Sequence, residues 1–214
     1  MEHKSKRAQE RQERIDGINK LADYVLMGIL FLFTSIPLLT VGVSISALYK
    51  TIYEYKIQEK PKFIHIYVKA FLNSFKQSTI VWLGYLLLIL AFVLNRQSLI
   101  DSYALLKDAL QIFHILMIIL ATPVVLLMLC YIARFTDNLK TVFKNSTIIL
   151  LLNIVTAIKL LIGSALVAVC IWLVPILGMI LPPFMISKGI EMIEDIFAQF
   201  RLANNSKNIY SRGD

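Results

Sequence analysis

The stretch YVLMGILFLFTSIPLLTVGVSISALY, Tyr24–Tyr49, contains no Asp, Glu, Lys or Arg. Gln77–Asn95, Ala109–Ala133 and Leu160–Ser187 are equally free of them, and a shorter run, Asn145–Ile158, ends at Lys159. A bilayer's hydrocarbon core needs about 20 apolar residues per crossing helix. Backbone polar groups at that depth must be satisfied within the segment itself, which leaves helices as the spanning form for runs of this kind. The chain therefore reads as all-α and polytopic, an integral membrane protein with about six membrane helices. Its parts are a charged tail over 1–20, one helical membrane domain over 21–187 and a second tail over 188–214.

Charge in the connections orients these helices. Lys4, Lys6, Arg7, Arg11, Arg14 and Lys20 precede the first run, and Lys50, Lys56, Lys60, Lys62, Lys69 and Lys76 follow it. The positive-inside rule puts both segments on the cytoplasmic side. One straight crossing between them would violate that rule, so Pro37, which ends or kinks a helix, is read as the turn of a broken hairpin. Leu21–Ile36 goes out and Val41–Lys56 returns, with a re-entrant pair as the close variant. A cytoplasmic amphipathic helix follows over about 57–76, with Phe63, Tyr67, Phe71 and Phe75 among its apolar positions. A third helix then covers about Phe75–Asn95 and a fourth about Lys107–Arg134. The fifth runs over about Lys144–Ile162, turns at Gly163-Ser164 and returns as a sixth over Ala165–Ser187, leaving both termini in the cytoplasm of a cell-membrane protein. The alternative turn is Val174-Pro175, with Asn145–Ile158 then lying at the interface. Phe75-Lys76-Gln77-Ser78-Thr79-Ile80 recurs as Phe143-Lys144-Asn145-Ser146-Thr147-Ile148, an echo compatible with a duplicated helix pair.

Composition excludes several classes. Hydrophobic residues make up 57% of the chain, too many for a soluble fold without large exposed patches. The net charge of +8 suits loops facing anionic lipid, and no separate domain is present to bind nucleic acid. Cys130 and Cys170 lie inside apolar runs as packing residues rather than as a disulfide or redox pair. The long mixed-charge head before the first run is unlike a secretory signal, so the first helix is expected to be retained. No nucleophile elbow, zinc-protease helix, P-loop or dinucleotide fingerprint occurs, and no carboxylate pair faces the membrane, so neither an enzyme nor a cofactor or metal site is expected.

Three groups remain as candidate sites. Thr34, Ser35, Pro37, Thr40, Gly42, Ser44 and Ser46 form either a polar cavity at a broken helix or a small-residue packing motif. His114, Lys159 and Asn153 are intramembrane polar residues, which suggest function by default; packing, snorkelling and interhelical hydrogen bonding, also open to Asn73, are the plain alternatives. Lys56, Lys60, Lys62, Lys69 and Lys76 are contacts for anionic lipid or for a protein partner. Trp82, Trp172 and the tyrosines read as interfacial anchors or packing, with Trp82 the deeper of the two tryptophans.

Ser35-Ile36-Pro37-Leu38-Leu39-Thr40-Val41-Gly42-Val43-Ser44-Ile45-Ser46-Ala47-Leu48-Tyr49 resembles the first-helix signature of the YesL family, small membrane proteins of Gram-positive bacteria. Lys69-Ala70-Phe71, Phe75-Lys76-Gln77, Arg134-Phe135, Asn138, Lys144-Asn145-Ser146 and Pro182-Pro183 extend the likeness over nearly all of the chain after residue 18. The resemblance implies a non-enzymatic accessory protein of oligosaccharide uptake, partnered by a sugar ABC permease or a sensor kinase. It carries no catalytic or binding residues across. A small transporter or substrate-binding module at Ser35–Gly42, in one form a homodimer, is the alternative.

Overall fold

The structure, a computed structural model, describes residues 2–58, 62–97 and 104–210. Among the described residues every regular element is helical: α1 (Glu2–Ser35), α2 (Val41–Ile57), α3 (Phe63–Gln97), α4 (Ala104–Arg134), α5 (Leu139–Leu152), α6 (Ile154–Leu173) and α7 (Leu181–Tyr210). Four of them are long and apolar enough to cross a membrane: Gly17–Ser35 of α1, Phe63–Asn95 of α3, Asp108–Arg134 of α4 and α6. The protein is thus an all-α polytopic membrane protein, with α2 and α5 as shorter arms.

Pro37 breaks the first hairpin as its lack of an N–H requires. A 3-10 turn, Leu38–Thr40, joins α1 to α2, closed by the Thr40 N–H on the Pro37 carbonyl at 2.9 Å. The two arms are antiparallel: Tyr55 donates to Asp23 at 2.6 Å at one end, and Ser44 donates to Thr34 at 2.9 Å at the other. Trp82 Nε1 meets the Leu38 carbonyl at 2.8 Å. At 1.5 Å per residue that leaves about 22 Å of α3 beyond the hairpin turn, up to Gln97.

The returning arm α2 is the centre of the molecule, in contact with α1, α3, α4 and α7. Gly42, Val43, Ser44, Ser46, Ala47, Leu48, Tyr49, Thr51 and Ile52 are all buried. Its small and hydroxyl residues let neighbouring backbones approach closely: a Cβ on Gly42 would stand 2.5 Å from that of Trp82.

Three expectations change. The amphipathic segment over 57–76 is no separate surface helix, because α3 runs unbroken from Phe63 through Lys76 to Gln97. The third helix accordingly begins at Phe63, not near Phe75. In the last third, the chain passes straight through Gly163-Ser164 inside α6. The breaks fall at Asn153 and at Val174-Pro175, where a 3-10 turn, Pro175–Met179, precedes α7. Finally, residues 188–214 are not simply a tail. Ile190, Ile193, Ile196 and Phe197 of α7 are buried against the rest of the core.

Candidate functional site

The hydroxyls of the broken hairpin bond to one another and to their own backbone. Thr34 donates to the Leu30 and Phe31 carbonyls at 2.9 and 3.2 Å and pairs with the Tyr67 hydroxyl at 2.6 Å. Thr40 donates to the Thr34 and Pro37 carbonyls at 2.6 and 2.8 Å, and Ser44 to Thr34 Oγ1 and the Thr40 carbonyl. Ser46 pairs with Ser78 at 2.8 Å and reaches the Leu129 carbonyl at 3.0 Å, tying α2 to α3 and α4. Satisfied in this way, these groups hold the hairpin together and leave few donors for a ligand. Among the described residues, only the buried Ser35 hydroxyl of that motif lacks a partner.

The exposed donors gather at the opposite end of the hairpin. A cleft of about 760 Å³ opens between α2, α3 and the connection from α4 to α5, bordered by Lys50, Glu54, Gln58, His65, Lys69, Asn73, Lys76, Gln77 and Arg134. Its cations are not equivalent. Lys50 is paired with Glu54 at 2.9 Å. Arg134 is held by Glu194, Nε to Oε1 at 2.7 Å and Nη2 to Oε2 at 2.9 Å, and stacks over the Tyr53 ring at 3.6 Å. Lys69 and Lys76 are exposed and have no ion-pair partner among the described residues. Lys50 and Arg134 are thus neutralised by their carboxylates, and the net positive charge of this concave space is that of Lys69 and Lys76.

The cleft rests on a clasp around α7. Tyr49, fully buried, donates to Glu194 Oε1 at 2.8 Å, so one carboxylate collects three charge-assisted bonds from α2 and α4. Tyr131 donates to Asp137 at 2.7 Å and accepts from Asn145 at 2.9 Å, while its ring packs on Phe135 and Phe197. Lys56 donates to the Ser187 carbonyl at 2.6 Å and to Glu191 at 3.0 Å. That ammonium holds the exposed Glu191 carboxyl below the ordinary glutamate range.

Of the lysines expected to touch lipid or partner, Lys69 and Lys76 border the cleft, Lys56 is used by α7, Lys62 begins the approach to α3, and Lys60 lies outside the described residues. His114, Asn153 and Lys159 are not brought together by any bond among the described residues. His114 Nδ1 meets the Leu110 carbonyl of its own helix at 2.7 Å. Among the described residues the Asn153 side chain bonds only within its own turn, Nδ2 to the Ile149 carbonyl at 2.9 Å, and the residue forms the joint between α5 and α6. Lys159 is exposed on α6. Among the described residues, no cluster of His, Cys, Asp or Glu could hold a metal ion.

The Glu194 clasp was not anticipated. Its available signal is the spacing Ile190, Ile193, Ile196, Phe197, an apolar helical face on the segment read as a second tail.

Residues 24–96 match a family described as proteins of unknown function, DUF624. That segment holds most of the first hairpin and α3, including the two unpaired lysines. No curated protein matches the chain, and no solved structure matches it.

Proposed function

We propose that the protein is a YesL-like, non-enzymatic accessory protein of a bacterial cell membrane, docking the permease or sensor kinase of a carbohydrate uptake system. In this reading both termini are cytoplasmic, and so is the basic cleft, because the lysine-rich connections surround it. The observation that carries the reading is the pair of unpaired cations, Lys69 and Lys76, beside Lys50 and Arg134 in one concavity. An acidic cytoplasmic segment of a partner finds complementary charge there, which favours encounter and fixes orientation. The carbohydrate context rests on the family likeness of the first hairpin.

Crosslinking in native membranes, followed by mass spectrometry of co-purifying chains, tests the proposal. The expected result is a permease or sensor chain crosslinked to lysines between 50 and 76, with yield lost on reversing charge at Lys60, Lys62 and Lys69. Recovery of copies of this chain alone would overturn it and favour a homodimeric binding or transport module.

A further inference from the structure

The exposed face of α3 changes character at one level. His65, Lys69, Asn73 and Lys76 are followed by Ile80, Leu83, Leu87, Leu90 and Leu94. From Lys69 onward the spacing alternates between four and three residues, so these positions form one continuous stripe along the helix. Every one of them is exposed, with Ile80 at 49%, Leu87 at 63% and Leu94 at 56%. The core-facing row, Tyr67, Ser74 and Ser78, is a separate face. The stripe is cationic and amide-bearing below Lys76 and wholly aliphatic from Ile80 upward, and its polar half lines the cleft.

We infer that this stripe binds one anionic glycerophospholipid. Its headgroup phosphate sits in the cleft on Lys69, Asn73 and Lys76, and its acyl chains lie along Ile80–Leu94. Dimensions agree: Ile80 to Leu94 rises about 21 Å, enough to line one leaflet of a hydrocarbon core about 30 Å thick. Two lysines and an amide supply donors to phosphate oxygens, while Lys50 and Arg134 remain engaged by Glu54 and Glu194. The aliphatic half distinguishes this site from a simple anion cleft, since a soluble phosphate ester would leave those five side chains unused. Lipid and an acidic partner segment would compete for Lys69 and Lys76, so the lipid is tested on the purified chain, where no partner is present.

The test is lipid retention by the purified full chain, read by native mass spectrometry from an equimolar mixture of phosphatidylglycerol and phosphatidylcholine. One phosphatidylglycerol per chain is expected, in preference to phosphatidylcholine. Each lysine near an anionic headgroup contributes about a fivefold preference, so K69Q/K76Q should lower it by roughly 25-fold. K69R/K76R should retain it, and K140Q/K144Q, which removes equal charge elsewhere, should leave it unchanged. L87S should weaken lipid retention without changing the binding of glycerol 3-phosphate itself. Equal losses in both glutamine pairs would reduce the effect to general surface charge and overturn the site. Displacement by glycerol 3-phosphate at the concentration of the full lipid would overturn the lipid assignment in favour of a soluble phosphate ester. Where lipid holds Lys69 and Lys76, a partner must displace it, which crosslinking in native membranes reads separately.

Discussion

Replacing Glu194 with leucine tests the clasp that closes the basic end of the bundle. The carboxylate accepts from Arg134 twice, at 2.7 and 2.9 Å, and from Tyr49 at 2.8 Å. Removing one member of a fully buried ion pair costs about 3–5 kcal/mol, because the survivor is left buried and uncompensated. Here the side chains of Arg134 and Glu194 are 18% and 22% accessible, so some solvent compensation remains. A cost of about 3 kcal/mol follows, including the stranded hydroxyl of the fully buried Tyr49. At roughly 2–4 °C per kcal/mol for a chain of this size, the melting temperature in detergent should fall by about 6–12 °C. Glu194→Gln, which keeps an acceptor and the volume, should lose about half as much. A double-mutant cycle with Arg134→Met isolates the pair, with a coupling near 2 kcal/mol expected. If the two single losses add within about 0.5 kcal/mol, the contact does not organise this end, and the reasoning about the cleft's fixed wall fails with it.

Four further outcomes follow from the geometry. Gly42→Ala drives a Cβ into that of Trp82, 2.5 Å away, and should cost about 1–3 kcal/mol by chemical denaturation, whereas Gly84→Ala meets nothing within 4 Å and should be neutral or slightly stabilising. Gly28→Ala places its methyl against the Met179 carbonyl, and should loosen the turn before α7 enough to expose it to limited proteolysis. The echo pair should separate: Ser78→Ala breaks the bond to Ser46 and costs about 1 kcal/mol, but Ser146→Ala removes a buried hydroxyl without a partner among the described residues and should be neutral or stabilising. Because Lys56 depresses the Glu191 carboxyl, their contact contributes above the ordinary glutamate range, about pH 4.3, and fades as pH falls through the lower folded value. Glu191→Gln should remove that acid-limb slope by lowering the neutral-pH melting temperature slightly, with the two profiles converging at acid pH.

The first hairpin was legible because proline states its consequence locally: a missing N–H and a fixed φ end α1 wherever the neighbours lie. Val174-Pro175, the alternative outer turn, is marked by a proline in the same way; the other late break depends on context. Gly163-Ser164 looks like a turn, yet within a membrane helix small residues serve packing, and Gly163 lies with Met185 Cε 3.3 Å from where its Cβ would be. The actual joint is Asn153, whose amide satisfies carbonyl groups that the break exposes. In α3 the lysines suggested a boundary between a surface helix and a crossing one. A single helix carries both because Lys69 and Lys76 occupy one exposed face while Tyr67, Ser74 and Ser78 continue the buried one. Net charge and composition along the chain cannot separate these two faces; only the helical period does.

The same distinction decides where function is to be sought. A polar residue in an apolar run suggests a site only if its bonding capacity is left open. Thr34, Thr40, Ser44 and Ser46 spend theirs on Tyr67, Ser78 and nearby carbonyls, so the most recognisable stretch of the sequence is chiefly a device for packing α2 in the centre. Its length agrees, since the turn stops at Trp82 while α3 continues well beyond. Lys69 and Lys76 are the reverse case. They are unremarkable as a sequence motif, but they stand unpaired at the edge of a cleft whose other cations are already fixed. Open donors beside immobilised charge are what an anionic ligand requires, and in this fold the two meet where the stripe on α3 turns from lysine to leucine.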